Sequence, residues 1–181
     1  MSGGCTRRLP PSGPACVWQT DGMTVSFVCR TDSVLPREQL FDRARSIDTH
    51  LETMAVSGER AVAGVTEGLI SAGEEVTWRA RHFGVPLTMT SRVTRLDYPV
   101  SFVDEQVKGP FKAFRHVHEF AAHDAGSVMT DRIEFTAPFG PLGWIVERVI
   151  LRRYLERLIA GRGTLLATPC PDPGTGLHSR L

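Results

Sequence analysis

The sequence predicts an α+β domain: one strand, two short helices, a curved antiparallel sheet of about seven strands in all, and a long helix near the C-terminal end. Three observations predict it. From Glu74 onward apolar and polar residues alternate with a period of two, which in a strand sends one set to each face. Turn residues interrupt this alternation at 84–86, 97–99, 109–110 and 124–126, a spacing that suits hairpin connections. Beyond Pro138-Phe139-Gly140-Pro141 the period becomes helical, which ends the sheet.

Residues 23–29, rich in Val and Phe, read as the first strand. Pro36 suits the first turn of a helix, and Leu40, Phe41, Ala44 and Ile47 follow at helical spacing. A second short helix passes through Leu51 and Met54 and stops before Gly58. Residues 60–65 form a short strand, and Gly68 and Gly73 bracket a loop around Leu69 and Ile70.

Within the sheet, Val76, Trp78, Ala80 and His82 share a face opposite Glu75, Thr77, Arg79 and Arg81, and Leu87, Met89, Ser91 and Val93 do the same in the next strand. The same rule groups Phe102, Asp104 and Gln106, then Phe114, His116, His118 and Phe120, then Met129, Asp131, Ile133 and Phe135. The last helix runs from 142 or 144 to 160 and ends near Gly161 and Gly163. Its apolar residues fall into two nearly opposite groups, Ile145, Val146, Val149 and Ile150 against Leu151, Tyr154, Leu155, Leu158 and Ile159. Either the helix bends near Ile150 or its halves bury different faces. The first half then seals the sheet, and the second packs on the terminal elements or on the partner subunit of a homodimer.

At 181 residues the chain fits one domain, assigned to 22–167, with residues 1–21 and 168–181 as disordered tails. Lys plus Arg at 21 against Asp plus Glu at 20 leaves a net charge of +1, which gives no electrostatic case for nucleic acid or an anionic membrane. No run is long enough to span a bilayer, and the N-terminal residues lack a signal-peptide core. Cys5, Cys16, Cys29 and Cys170 show no C-x-x-C spacing, and they read as reduced thiols of a cytoplasmic protein. No G-x-S-x-G, P-loop or G-x-G-x-x-G stretch occurs, so hydrolase, nucleotide and dinucleotide readings lack support. No cofactor is expected.

The chemistry concentrates on one sheet face, which carries His82, Asp104, Gln106, His116, His118 and Asp131. Each such group costs about 1–3 kcal/mol if buried without a partner. They therefore form a hydrogen-bonded network that fixes the sheet, or a polar floor that orients a ligand in an apolar pocket. His116-x-His118 puts two imidazoles about 6.6–6.8 Å apart along the strand, a spacing that converges on a metal if Asp131 or Asp104 joins. Histidines so placed are more often mere neighbours, and no metal is expected. A His/Asp pair drawn from His116, His118, Asp104 and Asp131 could also act as acid and base.

This order of elements resembles the helix-grip fold of the SRPBCC superfamily, which includes START lipid-transfer domains, pollen-allergen-like proteins and aromatic polyketide cyclases. The motifs Trp78-Arg79-Ala80-Arg81-His82-Phe83-Gly84, Phe102-Val103-Asp104-Glu105-Gln106-Val107-Lys108-Gly109-Pro110-Phe111, His116-Val117-His118-Glu119-Phe120, Met129-Thr130-Asp131 and Phe139-Gly140-Pro141-Leu142-Gly143 carry the resemblance, to a bacterial subgroup labelled ligand-binding or cyclase-like. It covers residues 22–166, with Phe114 standing where a Trp is usual. The resemblance implies a sheet gripping the last helix around a cavity for apolar molecules.

The expected function is binding of a small hydrophobic or aromatic molecule. The expected lining is Trp78, His82, Met89, Phe102, Asp104, Gln106, Phe114, His116, His118, Phe120, Met129, Asp131, Phe135, Ile145 and Val149. A polyketide cyclase or dehydratase is the alternative, and a partner-binding protein with an incidental cavity is a third reading.

Overall fold

The computed structural model describes residues 15–21, 24–82, 84–136 and 151–168. The first described elements are the strands β1 (Ala15–Asp21) and β2 (Thr24–Ser33), followed by the helices α1 (Arg37–Arg45) and α2 (Ile47–Thr53) and a single 3-10 turn at Ala55–Ser57. The strands β3 (Arg60–Gly64), β4 (Glu75–His82), β5 (Val85–Asp97), β6 (Ser101–Lys108), β7 (Ala113–His123) and β8 (Gly126–Thr136) follow, and the last described helix is α3 (Arg152–Ala167). All eight described strands join one antiparallel sheet in the order β1-β2-β8-β7-β6-β5-β4-β3.

The expected meander is present from β4 to β8, with turns where the sequence places them, and β3 extends it by pairing with β4. Gly126 shows why its turn needs glycine: its φ is +142°, and a Cβ there would stand 2.1 Å from the Ser33 carbonyl oxygen. The pairing of β2 with β8 joins the β1–β2 hairpin to the last strand of this meander and could not be read from local pattern. Register shifts in β5 against β6, at Thr90/Ser91 and Val93/Arg95, are bulges of the kind that bend a strand.

Burial follows the alternation. Val76, Trp78, Ala80, Val93, Phe102, Phe120, Met129, Ile133 and Phe135 are buried, while Arg79, Arg81, Arg92 and Arg132 lie on the wet face. The helical pattern of α1 is equally faithful, with Leu40, Phe41 and Ala44 buried. They join one core cluster with Trp78, Phe102, Phe120 and Met129. A second cluster, Val25, Phe27, Cys29, Ile133 and Phe135, receives Leu151, Leu155 and Ile159 from the C-terminal helical segment.

Three expectations need correction. Residues 15–21 are not tail but β1, an eighth strand paired with β2 from Ala15↔Arg30 to Asp21↔Thr24. Cys16 and Cys29 are not thiols but a disulfide between directly opposite residues of that ladder. Disulfides persist in oxidising compartments, so the thiol argument for a cytoplasmic protein falls away. Finally, the last helix does not stop near Gly161 but continues to Ala167. Gly163 faces Thr31, whose Oγ1 would stand 2.3 Å from an added Cβ, so this glycine serves close helix-to-sheet packing and not termination. The expectations for 1–14, for the bend near Ile150 and for 169–181 lie outside the described residues. Among the described residues no helix is long and apolar enough to cross a membrane.

Candidate functional site

The register of β6, β7 and β8 builds the site. Asp104 lies directly opposite His116, and His118 directly opposite both Phe102 and Asp131. The side chains then reach diagonally. His116 Nε2 hydrogen-bonds Asp131 Oδ1 at 2.9 Å, and His118 Nε2 hydrogen-bonds Asp104 Oδ2 at 3.1 Å. His118 Nδ1 also lies 2.7 Å from Asp131 Oδ1, close as an ion pair but off the line of a good hydrogen bond. His116 Nδ1 lies 4.0 Å from Asp104 Oδ2. Two imidazoles thus stand between two carboxylates, and the Phe102 ring covers His118 with centroids 4.1 Å apart.

Burial and charge set the protonation of this cluster. Burial lowers the pKa of His116, and the neighbouring charge of His118 lowers it further, so its contact with Asp131 does not restore it. Burial opposes protonation of His118 as well, but its contacts with Asp104 and Asp131 outweigh that and hold its pKa above the usual histidine value. Asp131 is pushed up by burial and pulled down more strongly by its contacts with His116 and His118, leaving it well below the ordinary carboxylate range. In Asp104 burial is likewise overcome by the hydrogen bond from His118 and the charges of both histidines. Between the two coupled rings a proton is thus favoured on His118 and disfavoured on His116, and both carboxylates are favoured in their charged form.

A cavity of about 210 Å³ opens beside this cluster. The sheet supplies Trp78, Ala80, Leu87, Met89 and Phe114, and the C-terminal helical segment supplies Leu151, Tyr154, Leu155, Leu158 and Ile159. A smaller lobe of about 100 Å³ lies toward α1 and α2, bounded by Ala44, Ile47, Val93 and Phe102 among others. Asp104, His116, Ser91, Trp78 and His50 border both lobes, so the polar cluster sits where the lobes meet.

Of the residues expected to line a cavity, Trp78, His82, Met89, Asp104, Phe114 and His116 border the larger lobe, and Phe102 and His118 border the smaller one. Others are used elsewhere. Gln106 donates to the Phe111 carbonyl at 2.8 Å and accepts from the Phe111 amide at 3.3 Å, fixing the turn after β6. Phe120 and Met129 belong to the first core cluster and Phe135 to the second. Asp131, 1 % exposed, borders neither lobe and acts on the site through the histidines. Ile145 and Val149 lie outside the described residues.

Four polar residues were missed. His50 on α2 stacks on Trp78 with centroids 4.1 Å apart and contacts Glu59 at 3.0 Å; burial lowers its pKa, the hydrogen bond to Glu59 opposes this, and the charge of Arg162 lowers it further. Tyr154 hydrogen-bonds His82 at 2.5 Å. Arg162, 5 % exposed, donates to the Ala44 carbonyl at 2.7 Å, and burial lowers its pKa. A signal existed for Arg162: it continues the Leu155, Leu158, Ile159 stripe at helical spacing, hidden because two glycines flank it. Glu59, next to Gly58, gave none.

The chain has the helix-grip fold. No protein-family model and no curated protein matches it. Among solved structures it is similar to Ara h 8.0201, at 15 % identity and a TM-score of 0.53 over 80 % of this chain and 99 % of that one. It is similar also to major latex-like protein 151 of Panax ginseng, at 15 % identity and 0.58 over 82 % and 100 %. StfQ, a di-domain ARO/CYC protein of the steffimycin biosynthetic pathway, aligns at 15 % identity with a TM-score of 0.64 over 80 % of this chain and 50 % of its own length.

Proposed function

We propose that the protein binds a small hydrophobic or aromatic molecule bearing a polar group in the cavity between the sheet and the C-terminal helix. One observation carries this: an apolar cavity of about 210 Å³ ends on the buried cluster of Asp104 and His116. An apolar cavity of about 150 Å³ accommodates benzene, so this lobe suits one or two fused rings. The polar end would fix orientation while the apolar wall supplies affinity. A partner-binding protein with an incidental cavity would sooner have a filled interior, and this interior is open.

The test is recovery of small molecules that copurify with the protein, by organic extraction and mass spectrometry. A stoichiometric apolar or aromatic compound supports the reading. Its absence, together with no saturable binding from an aromatic panel, contradicts it.

A second reading, cyclisation or dehydration of a polyketide-like substrate, is favoured by the tautomer of His116. Its Nε2–H donates to Asp131, which leaves Nδ1 as a free lone pair in a residue that borders the cavity. A neutral imidazole backed by a carboxylate is a general base. Turnover of a polyketide that vanishes in His116→Ala would support this reading, and turnover unchanged in that variant would remove it.

A further inference from the structure

One buried carboxylate oxygen takes a nitrogen from each of two imidazoles. Asp131 Oδ1 lies 2.9 Å from His116 Nε2 and 2.7 Å from His118 Nδ1. The remaining nitrogens, His116 Nδ1 and His118 Nε2, stand 4.0 and 3.1 Å from Asp104 Oδ2. Ligand atoms of Asp104, His116 and His118 all lie within 4.8 Å of one another. Metal-binding histidines commonly give the second ring nitrogen to a carboxylate that fixes the tautomer and aims the lone pair; Asp131 holds His116 this way and stands beside His118 Nδ1, off the line of a hydrogen bond. Ligands about 2.0–2.2 Å from an ion stand roughly 3.0–3.6 Å apart. Of the three spacings, His118 to Asp104 already fits; those of His116 to Asp104, 4.0 Å, and to His118, within 4.8 Å, close by movement of the His116 ring and of Asp104, whose side chain is 23 % exposed against 7 % and 3 % for the histidines.

We propose that Asp104, His116 and His118 bind a divalent first-row transition ion, zinc or iron(II), with Asp131 as the carboxylate that orients both rings. Two histidines and one carboxylate leave coordination positions open, and these face the lobes that Asp104 and His116 border. An oxygen of a cavity-bound molecule would complete the shell. The site does not depend on what the cavity holds. It does exclude the acid–base reading while occupied, because the ion takes the His116 lone pair.

The test uses the full chain, stripped with a chelator, desalted and titrated with Zn²⁺ by calorimetry. Saturation at one ion per chain is expected, with Asp131→Asn weakening the affinity about 10- to 100-fold and His116→Gln and His118→Gln losing stoichiometric binding. Zinc-edge X-ray absorption on the wild type should show two imidazoles with oxygen ligands, and it needs no variant to fold. The proposal is overturned if wild-type protein binds no stoichiometric zinc, if the spectrum shows sulfur or fewer than two imidazoles, or if both histidine variants bind as tightly as wild type.

Discussion

The rings of His116 and His118 lie with centroids 3.7 Å apart and planes tilted by 36°, and both side chains are buried. Two positive charges at about 4 Å repel by roughly 4 kcal/mol at an effective dielectric of 20. Protonating His118 therefore suppresses protonation of His116, in line with the opposite directions of their shifts.

Stability of the metal-free protein should fall on acidification. The pKa values of His116 and His50 are lowered on folding, so the unfolded chain takes up their protons first, and stability drops as pH falls below about 6.5. His118 is raised and acts oppositely: its contribution is present below about 6.5 and is lost as pH rises through its folded value. Asp104 and Asp131 are lowered, and their contribution disappears as pH falls from about 4. Two histidines oppose one, so the urea midpoint should be lower at pH 5 than at pH 7.5. A higher midpoint at pH 5 would contradict these assignments.

Asp131→Asn should destabilise the protein by about 3 kcal/mol or more, because removing one partner of a buried charged network leaves the other uncompensated. Urea denaturation at pH 7.5 measures it. A loss under about 0.5 kcal/mol, the range of an ordinary surface change, would show that the network carries little.

Gly163→Ala should cost about 1–3 kcal/mol through overpacking, since the new methyl meets Thr31 Oγ1 at 2.3 Å. Thr31 Oγ1 is buried without a hydrogen-bond partner, so its removal sacrifices no bond. The double variant Gly163→Ala, Thr31→Ala should recover most of the loss. Equal destabilisation in single and double variants would place the clash elsewhere.

Reduction of Cys16–Cys29, 13 residues apart, should lower stability by about 3 kcal/mol on the loop-entropy model. Melting with and without a strong reductant checks this. Identical melting curves, with mass spectrometry confirming the oxidised form in the control, would contradict it.

The period of two made the inner face legible, because a strand that buries one side must alternate, and His116, His118, Asp104 and Asp131 fell on it for that reason. Contacts made at long range were not legible. Cys16 and Cys29 meet only through the pairing of β1 with β2, and β1 has no apolar face strong enough to announce itself. Gln106 looked like a cavity residue because facing says where a side chain points, not which main chain it finds there. Arg162 and Gly163 were obscured together: glycine near a helix end usually terminates it, whereas here it admits Thr31 and lets the helix carry Arg162 inside.

Binding of an aromatic molecule in the larger lobe is measured most directly by calorimetric titration of hydroxylated one- and two-ring aromatics into wild type and Ala80→Phe. Ala80 is 6 % exposed and borders that lobe, so a phenyl group there fills the space a ligand needs. Saturable binding at one molecule per chain, weakened at least tenfold in Ala80→Phe, is the expected result. No saturable binding to wild type, or equal affinity in a folded Ala80→Phe, would contradict it.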